Sequence, residues 1–191
     1  MMLRFLLSGL LVLVVAGCAP TGGILVSNTA EPLGGNLFVE TDKDGDQYLV
    51  LDGEITADTS YVFQALTESA DMASGLVIAQ SPGGDLLASH QIGRTIRQKR
   101  MNTLVLVSCI SACVDVFIAG RNREMTDIAE LGLHSATNRD VAYDIDRRYW
   151  GELGFGAINE RAYSVPNDSL WIISADRALE LRLATRVLTP G

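Results

Sequence analysis

Residues 104–134, LVLVSCISACVDVFIAGRNREMTDIAELGLH, most constrain what this chain can fold into. The apolar, β-branched run Leu104–Val107 has the composition of a strand buried on both faces. It meets a knot of small residues, Cys109-Ile110-Ser111-Ala112-Cys113, after which an apolar helical stretch ends at Gly120. A second short apolar run delivers His134. A serine at a strand-to-helix junction places its hydroxyl beside N–H groups that the helix leaves unpaired, and such groups stabilise a developing oxyanion. A histidine returned by a later strand is placed to act as its base. The pattern therefore points to a hydrolase nucleophile with its base. The plainer alternative is Ser111 as an ordinary N-cap and His134 as a core histidine bonded to backbone.

The flanking segments continue the alternation. Asn36–Glu40 and Tyr48–Leu51 are strand candidates around Asp42-Lys43-Asp44-Gly45-Asp46. Glycine at the fourth place of that run, not the sixth, favours a hairpin turn over a calcium loop. A helix capped by Asp58 or Thr59 is expected to reach about Ser69, with Tyr61, Ala65 and Leu66 on one side. Gly75–Gln80 is an all-apolar strand stopped by Ser81-Pro82-Gly83-Gly84-Asp85. The next helix runs to about Arg100, with Ala88, Ile92 and Ile96 inward and His90 off that stripe, hence at the surface. Strand 103–108, helix 111–119 and strand 131–135 come next. A helix over Arg139–Leu153 carries Val141, Ile145, Tyr149 and Leu153 on one stripe, and Gly154 and Gly156 break it. Trp171–Ile173, a short helix over Ser174–Leu183 and an extended Thr185–Leu188 complete the chain. Strand and helix alternate throughout, which makes the class α/β with crossover units, a single domain over residues 34–191.

Residues 1–17 have the form of a signal peptide, with Arg4 as its positive end and Phe5–Ala16 too short to span a bilayer. The sequence Val15-Ala16-Gly17-Cys18 resembles the lipobox of bacterial lipoproteins. That resemblance implies lipid on Cys18, a tether over 18–33 and a membrane anchor. Ala19 after the cysteine fits the periplasmic face of the outer membrane. An ordinary signal peptide with Cys18 as a bystander is the alternative. The net charge of −8 argues against nucleic acid as a partner. Two histidines in the whole chain exclude a His-rich zinc site, and no metal or cofactor is expected. Cys109 and Cys113 remain for an oxidising compartment, either bridged across the turn or as two buried thiols.

Leu51–Ile55 (LDGEI), Leu76–Asp85 (LVIAQSPGGD), Ser108–Gly120 (SCISACVDVFIAG) and Glu130–His134 (ELGLH) resemble, in this order, the Clp protease proteolytic subunit and its periplasmic relatives of the ClpP/crotonase superfamily. The resemblance is close over Tyr48–Ala136 and loose to Leu183. It implies a ClpP/crotonase-like fold of repeated β-β-α units. It implies Ser111 as nucleophile, His134 as general base, and the N–H groups of Gly84 and Ala112 as the oxyanion hole. The family's acid precedes a Ser-Ala pair, here Ser174-Ala175, which makes Asp168 the candidate although it lies two residues further off than in the family. A loop or capping role for Asp168 is the alternative. Asp115 shares a helix face with Ser111 where the family is apolar, placed either to raise the pKa of His134 or to be satisfied by backbone. The implied function is a lipid-anchored serine peptidase acting on peptides or proteins, with ring assembly in the family suggesting a homo-oligomer. A catalytically inactive scaffold for peptide binding or cell-envelope interaction is the rival, and acyl-thioester chemistry a weaker one.

Overall fold

Three apolar strands pair in parallel at the centre of a larger mixed sheet, and their turns all open on one edge. The computed structural model describes residues 27, 29–68 and 75–189; the signal peptide, the lipobox and Cys18 lie outside them. The strands are β1 (Glu31–Gly34), β2 (Leu37–Thr41), β3 (Gln47–Asp52), β4 (Gly75–Ser81), β5 (Asn102–Ile110), β6 (Arg123–Thr126), β7 (Glu130–Leu133), β8 (Trp171–Ser174) and β9 (Arg186–Leu188). The helices are α1 (Ala57–Glu68), α2 (Leu86–Lys99), α3 (Ala112–Ile118), α4 (Arg139–Glu152), α5 (Gly156–Tyr163) and α6 (Ala175–Glu180). The sheet order is β1-β2-β3-β4-β5-β6-β9, and β7 leaves this path by pairing with β5 and β8. β2 runs antiparallel to both β1 and β3, whereas β3 to β6 run parallel. Leu49, Leu51, Leu76, Ile78 and Val105 make the parallel centre almost fully buried, as continuous apolar runs require.

Local chemistry explains the boundaries. Asp42 Oδ1 accepts the N–H groups of Asp44 and Asp46, each at 2.9 Å, and Gly45 takes φ 90°, so the acidic run is spent on a β2–β3 hairpin. Asp85 caps α2 by accepting the Ala88 N–H at 2.8 Å, and Arg100 closes it in the left-handed region at φ 58°. Two helices are rotated from the expected faces. α1 exposes Tyr61 and buries Thr59, Ser60, Phe63 and Thr67, because Ser60 Oγ donates to Gln91 Oε1 of α2 at 2.9 Å. α4 exposes Val141 and buries Tyr149 of the expected stripe together with Ala142, Asp146 and Trp150.

His90 is also inside, only 2% exposed, not at the surface as its place on the helix suggested. α2 is covered on two sides, and the ring of His90 stacks on Tyr149 of α4 with centroids 4.0 Å apart. Three elements have no counterpart in the sequence reading: α5, which follows the glycines that end α4; β6; and β1, which begins at Glu31 within the stretch read as tether. Successive strands lead into a helix at β1–β2–β3–α1 and at β6–β7–α4, but β6 and β7 do not pair with each other, and α4 and α5 follow one another without a strand between them. No helix among the described residues is long and apolar enough to cross a membrane.

Candidate active site

β5 is nine residues long and serves two partners. Its first half holds β6 (Thr103 opposite Arg123), and its second half holds β7 (Ile110 opposite Gly132). This split positions the site. In a parallel register that pairs Ile110 with Gly132, the residues following each strand leave the same edge side by side. They are Ser111 and, two places past Gly132, His134. The Ser111 N–H donates to the Gly132 carbonyl at 2.7 Å and closes the register.

Ser111 itself sits at φ 55°, ψ −131°, a conformation a non-glycine residue adopts at a cost of roughly 1–3 kcal/mol. It precedes α3 without making a side-chain cap, so Oγ is left uncommitted. All seven residues of α3 are buried, which anchors the turn. A disulfide joins Cys109 to Cys113 across Ser111, with Cα atoms 5.3 Å apart. A loop this short restricts the unfolded chain by about 2 kcal/mol in the entropic account.

The Ser81–Asp85 turn lies directly against Ser111. Gly83 (φ 90°) and Gly84 (φ 139°) both occupy backbone conformations that suit glycine. A Cβ on Gly83 would stand 2.6 Å from the Ile110 carbonyl, 2.9 Å from Ser111 Cβ and 3.0 Å from the Ala112 nitrogen. The two turns are thus in backbone contact. Ile55 N–H donates to the Gly83 carbonyl at 2.7 Å and Asp85 N–H to the Ile55 carbonyl at 2.8 Å, so the Gly84 N–H faces the opposite way. Ala112 opens α3, and a first helical residue has no intrahelical acceptor for its N–H. Among the described residues neither N–H finds a backbone acceptor, and both residues line the cavity that Ser111 faces.

That cavity has a volume of about 350 Å³. Ser111 and His134 share its wall; Leu133, Val141, Ile145 and Trp150 supply apolar lining; Asp115, Asp146 and Asn159 supply polar lining. No hydrogen bond joins Ser111 Oγ to His134 in this arrangement. His134 Nδ1 lies 2.9 Å from the Ser135 carbonyl. A carbonyl only accepts, so this bond requires the proton on Nδ1 and leaves the Nε2 lone pair free, the tautomer a general base needs.

The residue beside His134 is Asn167, not Asp168. Asn167 Nδ2 is 3.0 Å from His134 Nδ1 and donates to the same Ser135 carbonyl at 2.8 Å. Asp168 accepts from its neighbour Ser169 Oγ at 3.2 Å and makes no contact with His134. Among the described residues no carboxylate lies within ion-pair distance of His134. Asp168→Ala is accordingly expected to leave turnover within about twofold. Asn167→Ala is expected to lower kcat roughly tenfold or more, since Asn167 Nδ2 holds the Ser135 carbonyl to which His134 Nδ1 donates. A steady-state comparison of the two variants checks this, and the reverse ranking would restore Asp168.

Asp115 is buried and bonded, but to side chains rather than backbone: Trp150 Nε1 donates to its Oδ1 at 2.7 Å, and its Oδ2 faces His90 Nε2 at 3.5 Å. Asp146 approaches the same Nε2 at 3.0 Å and accepts from Tyr163 through its other oxygen. Burial drives the Asp115 carboxyl up to about 6. Burial would lower His90, but Asp115 and Asp146 together outweigh it and lift the imidazole to about 9. Asp146 carried no flag in the sequence. The available signal was Asp115, a carboxylate in a wholly apolar helix, which needs a buried partner.

No protein-family model matches this chain, and no curated protein matches it. Among solved structures, the 1510-N membrane-bound stomatin-specific protease, in a serine-to-alanine mutant form, superposes with a TM-score of 0.54 at 18% identity. The match covers 71% of this chain and 75% of that one. At that identity the likeness is one of fold, a mixed α/β arrangement.

Proposed function

We propose that this chain is a serine hydrolase, most specifically a peptidase, anchored by lipid on Cys18 at the periplasmic side of the cell envelope. One observation carries the hydrolase reading. Ser111, held at φ 55° ahead of α3, faces a cavity wall shared with His134 and with the N–H groups of Gly84 and Ala112. In the reaction, Ser111 Oγ attacks the carbonyl carbon while His134 Nε2 takes its proton. The carbonyl oxygen gains the negative charge and is held by the Gly84 and Ala112 N–H groups. His134 then protonates the departing amine as its bond to the carbonyl carbon breaks. Water, activated by the same imidazole, hydrolyses the acyl-serine. The Ser135 carbonyl, held in turn by Asn167 Nδ2, takes the orienting place that an aspartate fills in the Ser-His-Asp triad. A rotation of Ser111 about χ1 on substrate binding closes the gap to Nε2, as loose sites tighten on binding. The protease named above supports a peptide substrate through its fold.

Labelling by a fluorophosphonate tests this reading. Folded wild type is expected to label and Ser111→Ala to remain blank; an unlabelled folded wild type, or equal labelling of the variant, refutes it. The inactive-scaffold reading draws on the missing Ser111–His134 bond and the absence of a carboxylate on His134, and it predicts the unlabelled outcome. For the anchor, Cys18→Ala is expected to leave the detergent phase, and a variant that stays there rules the lipid out.

A further inference from the structure

One buried cluster of donor atoms plays no part in the chemistry above. His90 of α2, Asp115 of α3 and Asp146 of α4 bring one ligand atom each to within 4.8 Å of one another. The residues are 2%, 3% and 6% exposed. His90 Nε2 stands 3.0 Å from Asp146 Oδ1 and 3.5 Å from Asp115 Oδ2. Yet both His90 Nε2 and Asp146 Oδ1 are buried without a hydrogen bond, although they stand 3.0 Å apart. Donors around a metal ion have this relation. Two bonds of roughly 2.1 Å at about a right angle hold their donors about 3 Å apart, each aimed at the ion and not at the other.

The surroundings complete the pattern. The second oxygen of each carboxylate is fixed, Asp115 by Trp150 Nε1 and Asp146 by the Tyr163 hydroxyl, which leaves the remaining oxygens turned toward His90. The imidazole is clamped against Tyr149, whose hydroxyl donates to the Asp115 carbonyl at 2.7 Å. Charge favours a dication. A protonated His90 leaves the trio with one uncompensated negative charge, and among the described residues no Lys or Arg pairs with either carboxylate. A divalent ion with a neutral His90 brings the total to zero. Asp115 and Asp146 also line the Ser111 cavity, which supplies an entry path and water for the open coordination positions.

We propose that His90 Nε2, Asp115 Oδ2 and Asp146 Oδ1 bind one divalent cation, tying α2, α3 and α4 together beneath the Ser111 cavity. One imidazole and two carboxylates suit Zn²⁺ or Mn²⁺. The full chain, stripped with EDTA, is titrated with Zn²⁺ by calorimetry while ¹⁵N NMR follows its two histidines. One site per chain, a raised Tm and a shift of the His90 nitrogens with His134 unmoved are expected. Asp146→Asn is expected to weaken binding roughly 100-fold or more, and Ser111→Ala to leave it intact. The proposal is overturned if folded wild type shows no stoichiometric site, if Asp146→Asn binds equally well, or if the His90 nitrogens keep imidazolium shifts at saturating Zn²⁺. Should Asp146→Asn not fold, the wild-type spectrum alone decides. Fluorophosphonate labelling is independent of all three results, so the two readings fail separately.

Discussion

His134→Ala is expected to lower turnover of a fluorogenic peptide pool by roughly 10³-fold or more, and Ser111→Ala by at least as much. The double variant is expected to be no slower than Ser111→Ala alone. In the proposed mechanism nucleophile and base act in one event: without Oγ there is no proton for the base to take, and without the base the hydroxyl is a poor nucleophile. Stability separates this from trivial unfolding. Ser111 Oγ makes no cap bond, so its removal sacrifices no hydrogen bond and Tm should hold. His134→Ala gives up the Nδ1 bond to the Ser135 carbonyl, worth about 1 kcal/mol at a half-buried position. Single-turnover rates and melting curves of the four proteins decide. Losses that multiply across the two sites would mean that Ser111 and His134 act independently, and the proposed pair would be abandoned.

The pair was legible because its determinants are local. An apolar run, a small-residue knot and a second apolar run define β5, the Ser111 turn and β7, and strand pairing then brings Ser111 and His134 to one edge. Gly83 and Gly84 were legible for the same reason, since two glycines at a strand end mark a backbone conformation that other residues avoid. The residue beside His134 was not. Counting back from Ser174 selects a position along the chain, whereas the turn after α5 decides which side chain faces the imidazole, and it presents Asn167. His90 and Asp146 were hidden by helical stripes. A single apolar stripe locates one covered face, but α2 has two, and the second is polar because it meets Asp115 and Asp146. On α4 the stripe held only in part: Tyr149 is buried and Leu153 packs against the core, but Val141 is exposed. Val141 and Ile145 line the Ser111 cavity, so their apolarity serves that cavity, and the face turned into the core carries Asp146 and Tyr149. The departures from pattern lie in the helices that line the Ser111 cavity, and a candidate site is where pattern reasoning should fail.

Gly84→Ala is the second substitution with a large expected effect, and it acts on stability and chemistry together. The added Cβ would stand 2.2 Å from the Ile55 carbonyl and 2.9 Å from Glu54 Cγ, at φ 139° where a side chain is strained whatever the space. The turn must move, at a cost of roughly 2–4 kcal/mol. Moving it breaks the Ile55 bridge and carries the Gly84 N–H away from the carbonyl oxygen it is proposed to hold. Loss of one oxyanion donor lowers kcat by roughly 10²–10³-fold. Gly151→Ala is the matched control. Its Cβ meets nothing within 4 Å on the exposed side of α4, so it should gain up to about 1 kcal/mol in helix propensity with unchanged turnover. Measured below its own melting transition, Gly84→Ala should remain folded yet label slowly with the fluorophosphonate. If it labels at the wild-type rate, the Gly84 N–H does not hold the oxyanion, and that donor must be sought elsewhere on the cavity wall.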